Sequence, residues 1–326
     1  MVSGKSMMAP PLVSVVIPAY QAARWIAETL DSVLAQTFHD YEIIVVNDGS
    51  PDTVDLERAL EPYRKRIVYL RQENRGPAGA RNTAIRAARG RYIAPLDADD
   101  QWEPEFLAEQ VAILEADSSL DLVYAGVRVF GDAPDAGRAK FASSEGEVTF
   151  ARLVLEEFTV AHCATVARRE ALVRVGLFDE SFGHAEDFEL WLRLAKFGGR
   201  IGYQRRVLSR YRRRAGSLNS DDERMGGSVL RALAKAEQYP DITPAERECI
   251  EQRRRVEKAR LDLIAGKKAV AAGDAEAAMR HLARANASFQ SRKLSATILL
   301  LRFAPHLVRT IYRWRNRYIF GRATGP

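Results

Sequence analysis

The sequence predicts an α/β fold: a doubly wound, mostly parallel sheet over roughly the first two-thirds of the chain, followed by an all-helical C-terminal region. Two observations carry this prediction. Over the first 130 residues, short β-rich runs alternate with segments of helical periodicity, the order expected of strand-helix-strand crossovers. From about Ala245 onward, the periodicity is helical throughout.

The elements of the predicted sheet can be assigned in order. Strands are expected at Leu12 to Ile17, Glu42 to Asn47, Ile67 to Arg71, Arg91 to Leu96 and Leu122 to Phe130. Helices of crossover length are expected at Ala22 to Gln36, Val54 to Tyr63, Ala78 to Ala88 and Pro104 to Glu115. Ligands of such sheets bind at the carboxyl ends of the strands, so the residues that follow each strand are candidates for a site.

The second half of the chain is less regular. Gly131 to Gly146 is predicted to be a loop, and a helix is predicted at about Glu186 to Phe197. Further on, Ala272-Gly273-Asp274 combines a helix stop with a new N-cap between two Ala-rich helices. This hairpin resembles one helix pair of a tetratricopeptide-type repeat, but a single pair favours a structural appendage over an array.

Composition narrows the classes of protein. The only two cysteines, Cys163 and Cys249, are far apart and lack neighbours at metal-binding spacing, which argues against a disulfide framework or a zinc site. No run reaches the roughly 18 apolar residues of a spanning helix, and the N-terminus does not resemble a signal peptide. We therefore expect a cytoplasmic protein whose membrane association, if any, is peripheral on the inner face of the cell membrane.

The charge of +6 is unevenly distributed along the chain. Residues 1–250 contain 32 Lys/Arg and 38 Asp/Glu, a net charge of −6, whereas residues 251–326 contain 17 and 5, a net charge of +12. No acidic residue follows Glu276. The C-terminal part is therefore expected to meet an anionic surface, either a membrane or a nucleic acid.

An acidic cluster after the fourth predicted strand is the most informative segment. Asp97, Asp99 and Asp100 lie within four positions, where their mutual repulsion has a cost. A bound Mg²⁺ or Mn²⁺ ion would offset that cost, since such ions are held by one or two carboxylates together with substrate phosphates. The alternative is a solvated acidic turn in which Asp99 or Asp100 caps the next helix.

Four ordered blocks carry a family resemblance: Val13 to Tyr20, Val46 to Ser50, Asn74 to Asn82 and Leu96 to Asp100. They resemble the motifs of family 2 inverting glycosyltransferases with the GT-A fold, a Rossmann-like nucleotide-binding architecture. The resemblance extends over about residues 12–220. No G-x-G-x-x-G follows the first strand and no P-loop motif occurs, which disfavours dehydrogenases and P-loop enzymes.

The resemblance implies which residues bind the donor. Tyr20 and Asp48 would hold the base, Tyr20 by packing and Asp48 by accepting an N–H from a uracil-like ring. Pro18 and Ala19 would belong to the same nucleotide-sugar-binding set. Ordinary alternatives exist, because Asp-Gly-Ser is also a common turn and Tyr20 could belong to the core.

A second group of residues would, by the same resemblance, serve the diphosphate and the sugar. Arg81 would approach the donor from the start of a helix, where backbone amides favour anions. Asp97 and Ala98 would contact the nucleotide sugar, and Asp99 would hold the metal ion. The alternative for Arg81 is a surface arginine.

An acidic pair opens the predicted helix of the second half. By resemblance, Asp187 would be the catalytic base that deprotonates the acceptor hydroxyl, with Glu186 and Trp191 in supporting or acceptor-side positions. An acidic first turn also stabilises any helix, which is the structural alternative. Arg214 stands where many relatives have a histidine that reaches the metal or phosphate, so a third protein ligand to the metal is in doubt.

The domains and the activity follow from these assignments. We expect a flexible N-terminus over residues 1–11, a catalytic domain over 12–240 with a nucleotide-sugar half at 12–130 and an acceptor half at 131–220, and a helical appendage over 241–326. The Q-x-x-R-W signature of processive synthases is missing. The predicted activity is metal-dependent, hexosyltransferase-type transfer of one sugar, with a UDP-sugar favoured, to a saccharide or lipid-linked acceptor in polysaccharide, glycolipid or cell-envelope synthesis.

Three alternatives to this activity are considered. A nucleotide-sugar-binding or scaffolding protein of the same fold could lack turnover. Nucleotidyl transfer would need a Gly-rich loop that Pro18-Ala19-Tyr20 does not supply. Nucleic-acid binding by the basic C-terminus is less favoured than membrane binding.

The membrane interpretation rests on the predicted C-terminal helix. From Pro305 onward, apolar residues recur on one face with arginines beside them, as in a helix that lies in the headgroup region. The apolar residues are Leu307, Ile311, Trp314 and Tyr318, and the arginines are Arg309, Arg313 and Arg317. The alternative is that this face packs on protein.

Overall fold

The computed structural model describes residues 9–132, 136–140, 145–213 and 222–320, without the side chains of residue 140, residue 313 and residues 315–320. The strands are β1 (Val13–Ala19), β2 (Tyr41–Asp48), β3 (Ile67–Gln72), β4 (Tyr92–Pro95), β5 (Gln101–Trp102), β6 (Leu122–Phe130), β7 (Ala139–Lys140), β8 (Thr165–Arg168) and β9 (Ile201–Arg212). Arg214 and residues 1–8 of the predicted flexible N-terminus lie outside the described residues.

Helices connect and follow these strands. The α-helices are α1 (Ile26–Leu34), α2 (Thr53–Leu60), α3 (Gly76–Ala87), α4 (Phe106–Ala116), α5 (Phe150–Val154), α6 (Arg169–Arg174), α7 (Glu186–Lys196), α8 (Asp222–Ala236), α9 (Pro244–Ala272), α10 (Ala275–Phe289), α11 (Arg292–Phe303) and α12 (Pro305–Phe320). Short 3₁₀ helices occur at Glu61–Tyr63 and His162–Ala164.

The strands form one mixed sheet in the order β3-β2-β1-β4-β8-β6-β9-β5, with β7 paired to β6. Neighbours in the run β3-β2-β1-β4 are parallel, whereas β8 is antiparallel to both β4 and β6. Both β1 and β2 are almost wholly buried, as expected for central parallel strands covered by helices on both faces. The predicted α/β class with a helical C-terminal region is confirmed.

Several boundaries differ from the predictions. Strand β1 continues through Ala19 because Pro18 and Ala19 remain in parallel register with Val46 and Asn47. Helix α1 begins only at Ile26, since the preceding turn is held by the Oδ2 atom of Asp52, which accepts a hydrogen bond from the Ala23 amide at 3.0 Å. The antiparallel strands β8 and β9 were not predicted.

The described chain divides into two compact units. One contains the residues up to Val129 with Gly137–Leu153 and Glu157–Arg212, and the other contains Phe130–Ala136, Val154–Glu156 and the chain from Arg213 onward. The sheet and the main apolar core belong to the first unit. The domain limits expected from the sequence stay predictions.

Helices α8 to α12 belong to the second unit. Thr243 and Glu246 form a capping box at the start of α9, each side chain bonding the other residue's amide. Gly273 ends α9 with a φ of 92°, and the Oδ1 atom of Asp274 caps α10 by accepting a hydrogen bond from the Ala277 amide at 2.9 Å. The helix stop and N-cap predicted at this position are confirmed. No helix in the described part of the chain is long and apolar enough to span a membrane.

Candidate active site

The carboxyl end of β2 presents a fixed carboxylate. Asp48 is buried, and its Oδ1 atom accepts hydrogen bonds from Gln72 Nε2 at 2.6 Å and from the Arg75 amide at 2.9 Å. Gln72, at the end of β3, is in register with Asp48, at the end of β2, so the parallel pairing of the two strands itself brings one donor to the carboxylate. The contacts fix the carboxylate at the edge where the sequence predicted base recognition.

The turn after Asp48 explains the Gly-Ser dipeptide. Gly49 has a φ of 62°, and a Cβ atom at this position would lie 2.7 Å from the Asn74 amide nitrogen. Only glycine fits both demands. Ser50 Oγ then accepts a hydrogen bond from the Gln21 amide at 2.7 Å, which ties this turn to the residues that follow β1.

The first strand end carries three of the predicted nucleotide-sugar-binding residues side by side. Ala19 is buried, Pro18 is partly buried and Tyr20 is 47% exposed. Tyr20 follows β1, and the neighbouring strand β2 ends at Asp48. An exposed aromatic ring at this edge of the sheet is suited to stacking on a planar heterocycle. The assignment of these residues to a nucleotide base stays a prediction.

Arg81 joins two carboxylates from distant parts of the chain. It lies on α3, is 4% exposed, and donates to Asp97 Oδ1 at 2.7 Å and to Glu186 Oε1 at 2.5 Å. Although burial opposes the charged form, the charges of Asp97 and Glu186 raise the pKa of Arg81. Its guanidinium also lies 5.5 Å from the ring centroid of Phe178. The structure thus shows Arg81 as a buried bridge, and the predicted contact with a donor stays untested.

Asp97 follows β4 after Leu96, and its side chain is 32% exposed. Burial works against its ionisation, but the positive charge of Arg81 outweighs that effect and lowers the pKa of Asp97. The result is a carboxylate that is ionised and oriented at the strand end, next to the buried Ala98.

The pKa of Asp187 is shifted in the opposite direction from that of Asp97. It lies in the first turn of α7, where burial first, and then the adjacent Glu186 carboxylate, raise the pKa of Asp187 to about 7. The amide of Phe188 donates to Asp187 Oδ1 at 2.8 Å and partly offsets the rise. A carboxyl group with a pKa near neutrality has the property expected of a general base.

The helix that carries this pair is held from its buried face. Arg193 and Glu189 form a two-bond ion pair one turn apart, with both distances 2.7 Å. Arg193 also donates to the carbonyl of Leu177 at 2.6 Å and to that of Val175, which fixes the loop before the helix. Trp191 is buried, and its Nε1 atom has no hydrogen-bond partner among the described residues. Its supporting or acceptor-side role stays a prediction.

The remaining carboxylates after β4 have separate roles. Asp100 is fully buried, and its Oδ1 atom accepts a hydrogen bond from the Arg212 amide at 2.7 Å. Burial first, and then the charges of Asp97 and Asp99, raise the pKa of Asp100 well above its usual range. Asp99 is partly exposed, and its backbone carbonyl accepts from Arg212 Nε at 2.8 Å. Asp100 is therefore an anchor for β9.

The acidic strand end is compatible with a divalent cation. Among the described residues, no group of three or more His, Cys, Asp or Glu side chains is arranged to hold a metal ion. Mg²⁺ and Mn²⁺ do not need such a group when substrate phosphates supply the other ligands. Asp97, Asp99 and Asp100 place three carboxyl groups within four positions, and a cation would relieve the repulsion between those that are ionised.

The sequence analysis gave no role to three further residues near Asp97 and Arg81, namely His162, Phe178 and Asn82. His162 Nε2 lies 3.7 Å from Asp97 Oδ1, and the His162 ring meets Phe178 edge-on at 6.0 Å. Asn82 holds Phe178 by accepting from its amide at 3.0 Å and donating to its carbonyl at 2.9 Å. An isolated histidine has no spacing signal, so only the fold could bring it to Asp97.

Solved structures with the same architecture define the class of fold. S. aureus TarS residues 1–349, solved in complex with UDP-GlcNAc, superposes with a TM-score of 0.64 at 21% identity over 95% of this chain and 92% of that one. A mannosyltransferase from Pyrobaculum calidifontis, solved with GDP-Man and Mn²⁺, gives a TM-score of 0.62 at 24% identity over 96% and 86%. The fold is that of GT-A glycosyltransferases.

The chain belongs to glycosyl transferase family 2, whose family model matches residues 14–176. An uncharacterized glycosyltransferase of Rickettsia prowazekii is 30% identical over 71% of this chain and 70% of its own length. The UDP-Glc:alpha-D-GlcNAc-diphosphoundecaprenol beta-1,3-glucosyltransferase of Escherichia coli is 32% identical over 64% and 80%. This chain spans a smaller part of other relatives: 32% of the length of a Rickettsia felis glycosyltransferase and 27% of the length of the Escherichia coli chondroitin synthase.

Proposed function

We propose that this family 2 glycosyltransferase transfers a single sugar, with inversion, from a UDP-sugar to an acceptor hydroxyl. The observation that carries the proposal is the contrast between two carboxylates. Asp97 is kept ionised by Arg81, whereas burial and Glu186 raise the pKa of Asp187 to about 7. One group is suited to bind and the other to exchange a proton.

In the proposed reaction, Asp187 takes the proton of the acceptor hydroxyl as its oxygen bonds to the anomeric carbon. The bond from that carbon to the diphosphate oxygen breaks on the opposite face, and the nucleoside diphosphate leaves with the bonding electrons. Glu186 contributes indirectly, because its charge helps to raise the pKa of Asp187 while Arg81 holds its carboxylate.

Donor binding is assigned to the three strand ends. Tyr20 would pack on the base, and the fixed Asp48 carboxylate would accept its N–H. Asp97 would contact the sugar. A Mg²⁺ or Mn²⁺ ion bound by Asp99 and the donor's phosphates would neutralise the diphosphate as a leaving group. The bound nucleotide sugars of the two structural neighbours support this assignment.

A lipid-linked acceptor is the favoured class. The Escherichia coli relative is named for a diphosphoundecaprenol acceptor, which supports a role in cell-envelope or polysaccharide synthesis. We also propose that the enzyme binds the anionic inner surface of the membrane, where such acceptors would be reached.

An exposed apolar face of α11 and α12 carries the membrane proposal. By this face we mean the exposed apolar side chains of the two helices, Leu299, Leu300, Phe303, Leu307, Ile311 and Trp314, each between 46% and 75% exposed. Val308 and Tyr312, by contrast, pack against the helices of the second unit. Residues 277–326 include ten Lys/Arg and no Asp/Glu, so the charge around the face is complementary to anionic lipid.

The activity is tested by incubating the protein with a panel of nucleotide sugars and a lipid-linked saccharide acceptor, with and without Mn²⁺. We expect nucleoside diphosphate release that requires both acceptor and metal, and a product of inverted anomeric configuration. Asp187→Asn is the inactive control. Tight donor binding without turnover on any acceptor class would instead favour a nucleotide-sugar-binding or scaffolding protein.

A further inference from the structure

His162 is a buried polar side chain whose hydrogen bonds are not made. The side chain is 7% exposed, and neither Nδ1 nor Nε2 has a hydrogen-bond partner among the described residues. Buried ring nitrogens of this kind normally have partners, because burial removes them from water. A leucine in the same space would avoid that cost, so packing alone does not explain a histidine here.

The ring is aimed at a donor-site carboxylate. Its Nε2 atom lies 3.7 Å from Asp97 Oδ1, slightly too far for a hydrogen bond, and the same oxygen already accepts from Arg81 at 2.7 Å. A shift of less than about 1 Å would bring Nε2 within bonding distance. Both donors would then act on one oxygen of Asp97 and leave the other for a ligand.

The surroundings hold the ring at this position. His162 opens a 3₁₀ helix, and its carbonyl accepts a hydrogen bond from Thr165 Oγ1 at 2.9 Å. Phe178 lies against the edge of the ring and is itself held by both of its backbone hydrogen bonds to Asn82. Burial first, and then the charge of Arg81, lower the pKa of His162 to about 3, so the ring is neutral and keeps one N–H donor.

We propose that His162 is a positioning residue for the donor sugar: its Nε2–H closes onto Asp97 Oδ1 when the donor binds, so that the other oxygen of Asp97 accepts a sugar hydroxyl. This inference rests on the proposed function, since it assigns Asp97 to the sugar of a nucleoside diphosphate sugar. Beyond that function, the inference gives His162 a part in donor selection, because His162 would orient the carboxylate of Asp97. His162 itself does not touch the donor.

Three variants test this role. Glutamine can place an amide nitrogen near the position of Nε2, asparagine reaches only the position of Nδ1, and leucine has no donor. Binding is measured by calorimetry with UDP alone and with the UDP-sugar that the wild type uses fastest, both in Mn²⁺. We expect His162→Leu and His162→Asn to weaken UDP-sugar binding about tenfold. UDP binding should stay within about twofold, and His162→Gln should restore most of the loss.

Thermal unfolding separates this role from a structural one. Because His162→Leu removes two nitrogens without partners, we expect its melting temperature to equal or exceed that of the wild type. Unchanged UDP-sugar binding in the leucine variant would contradict the proposal, as would equal weakening of UDP and UDP-sugar binding. Equal behaviour of the asparagine and glutamine variants would also contradict it. If the wild type bound no nucleotide sugar at all, the proposed function itself would be wrong.

Discussion

The guanidinium of Arg81 lies between Asp97, at 2.7 Å, and Glu186, at 2.5 Å, and thereby connects the end of β4 to the first turn of α7. Arg81, on α3, thus connects Asp97, the proposed sugar contact, with α7, the helix that carries the proposed catalytic base Asp187. Breaking a buried ion pair from one side leaves charges without compensation.

We expect Arg81→Met to lower the free energy of unfolding by about 3 kcal/mol and to reduce turnover strongly. Without Arg81, the carboxylates of Asp97 and Glu186 both lack a positive partner. Adding Glu186→Gln should recover part of the stability, because it replaces one of these two charges with a neutral amide. Arg86→Met is the matched control, since Arg86 is 56% exposed and 3.7 Å from its carboxylate partner. Chemical denaturation gives the free energy of unfolding of the wild type and the three variants. A double variant no more stable than Arg81→Met would argue against the ion pair between Arg81 and Glu186.

Asp187→Asn should lower kcat by about two to four orders of magnitude and leave donor binding near normal, as expected for loss of a general base. The matched control is Glu170→Gln, because Glu170 is an exposed carboxylate in the first turn of α6. Single-turnover kinetics and calorimetry measure the two quantities. A variant with more than about a tenth of the wild-type rate would be too active for this role.

The pH dependence of kcat should reflect Asp187. The base acts when deprotonated, so kcat should rise with pH through about 7, the pKa of Asp187. Glu186→Gln removes a negative charge that raises this pKa, so the rising limb should move to lower pH. A limb that stays in place in the Glu186→Gln variant would contradict the assigned electrostatics. Rates are measured at saturating donor and acceptor.

Asp187 should also make stability depend on pH. Its folded-state pKa is raised above the ordinary aspartate value of 3.8, so ionisation in the folded state has a cost that grows as pH rises from about 4 to about 7. Asp187→Asn removes this cost. The variant should therefore exceed the wild type in melting temperature by more at pH 8 than at pH 4, and calorimetric scans at the two values test the sign.

Substitutions of the adjacent residues Asp99 and Asp100 should differ in their effect on metal-dependent nucleotide binding. Asp99→Asn should abolish the Mn²⁺-dependent part of UDP binding without unfolding the protein. Asp100→Asn is the control, because an amide oxygen can still accept the 2.7 Å bond from the Arg212 amide. If wild-type UDP affinity were the same with and without Mn²⁺, a metal role for Asp99 would be wrong.

Liposome flotation tests the exposed face of α11 and α12. The full chain should bind vesicles that contain anionic lipid, and binding should weaken at high salt. The double substitution Leu307→Ser and Ile311→Ser should reduce flotation. Val54→Ser with Val173→Ser is the control, since those valines are also exposed but lie outside the basic region. Equal flotation of the two double variants would rule out this face as the attachment surface.

Much of the fold was predictable because its signals are local. The apolar runs of β1 and β2 are buried strands, and the run of β3 is a partly exposed strand at the edge of the sheet. All three were predicted to within two residues at either end. The end of α9 at Gly273 was predictable for the same reason, since a left-handed glycine and an Asp N-cap are adjacent in sequence. Strand β9 was missed because its arginines mask the apolar alternation on which strand prediction depends.

The sequence by itself determined the α/β class, the family resemblance and the residue types at the strand ends, since each depends on neighbours within a few positions. Only the tertiary structure decided how those residues are paired. Arg81 meets Glu186 across 105 positions of sequence, and His162 comes to Asp97 only through the pairing of β8 with β4. The pKa values of Asp97 and Asp187 diverge for the same reason, because burial and partner charges exist only once distant segments have packed together.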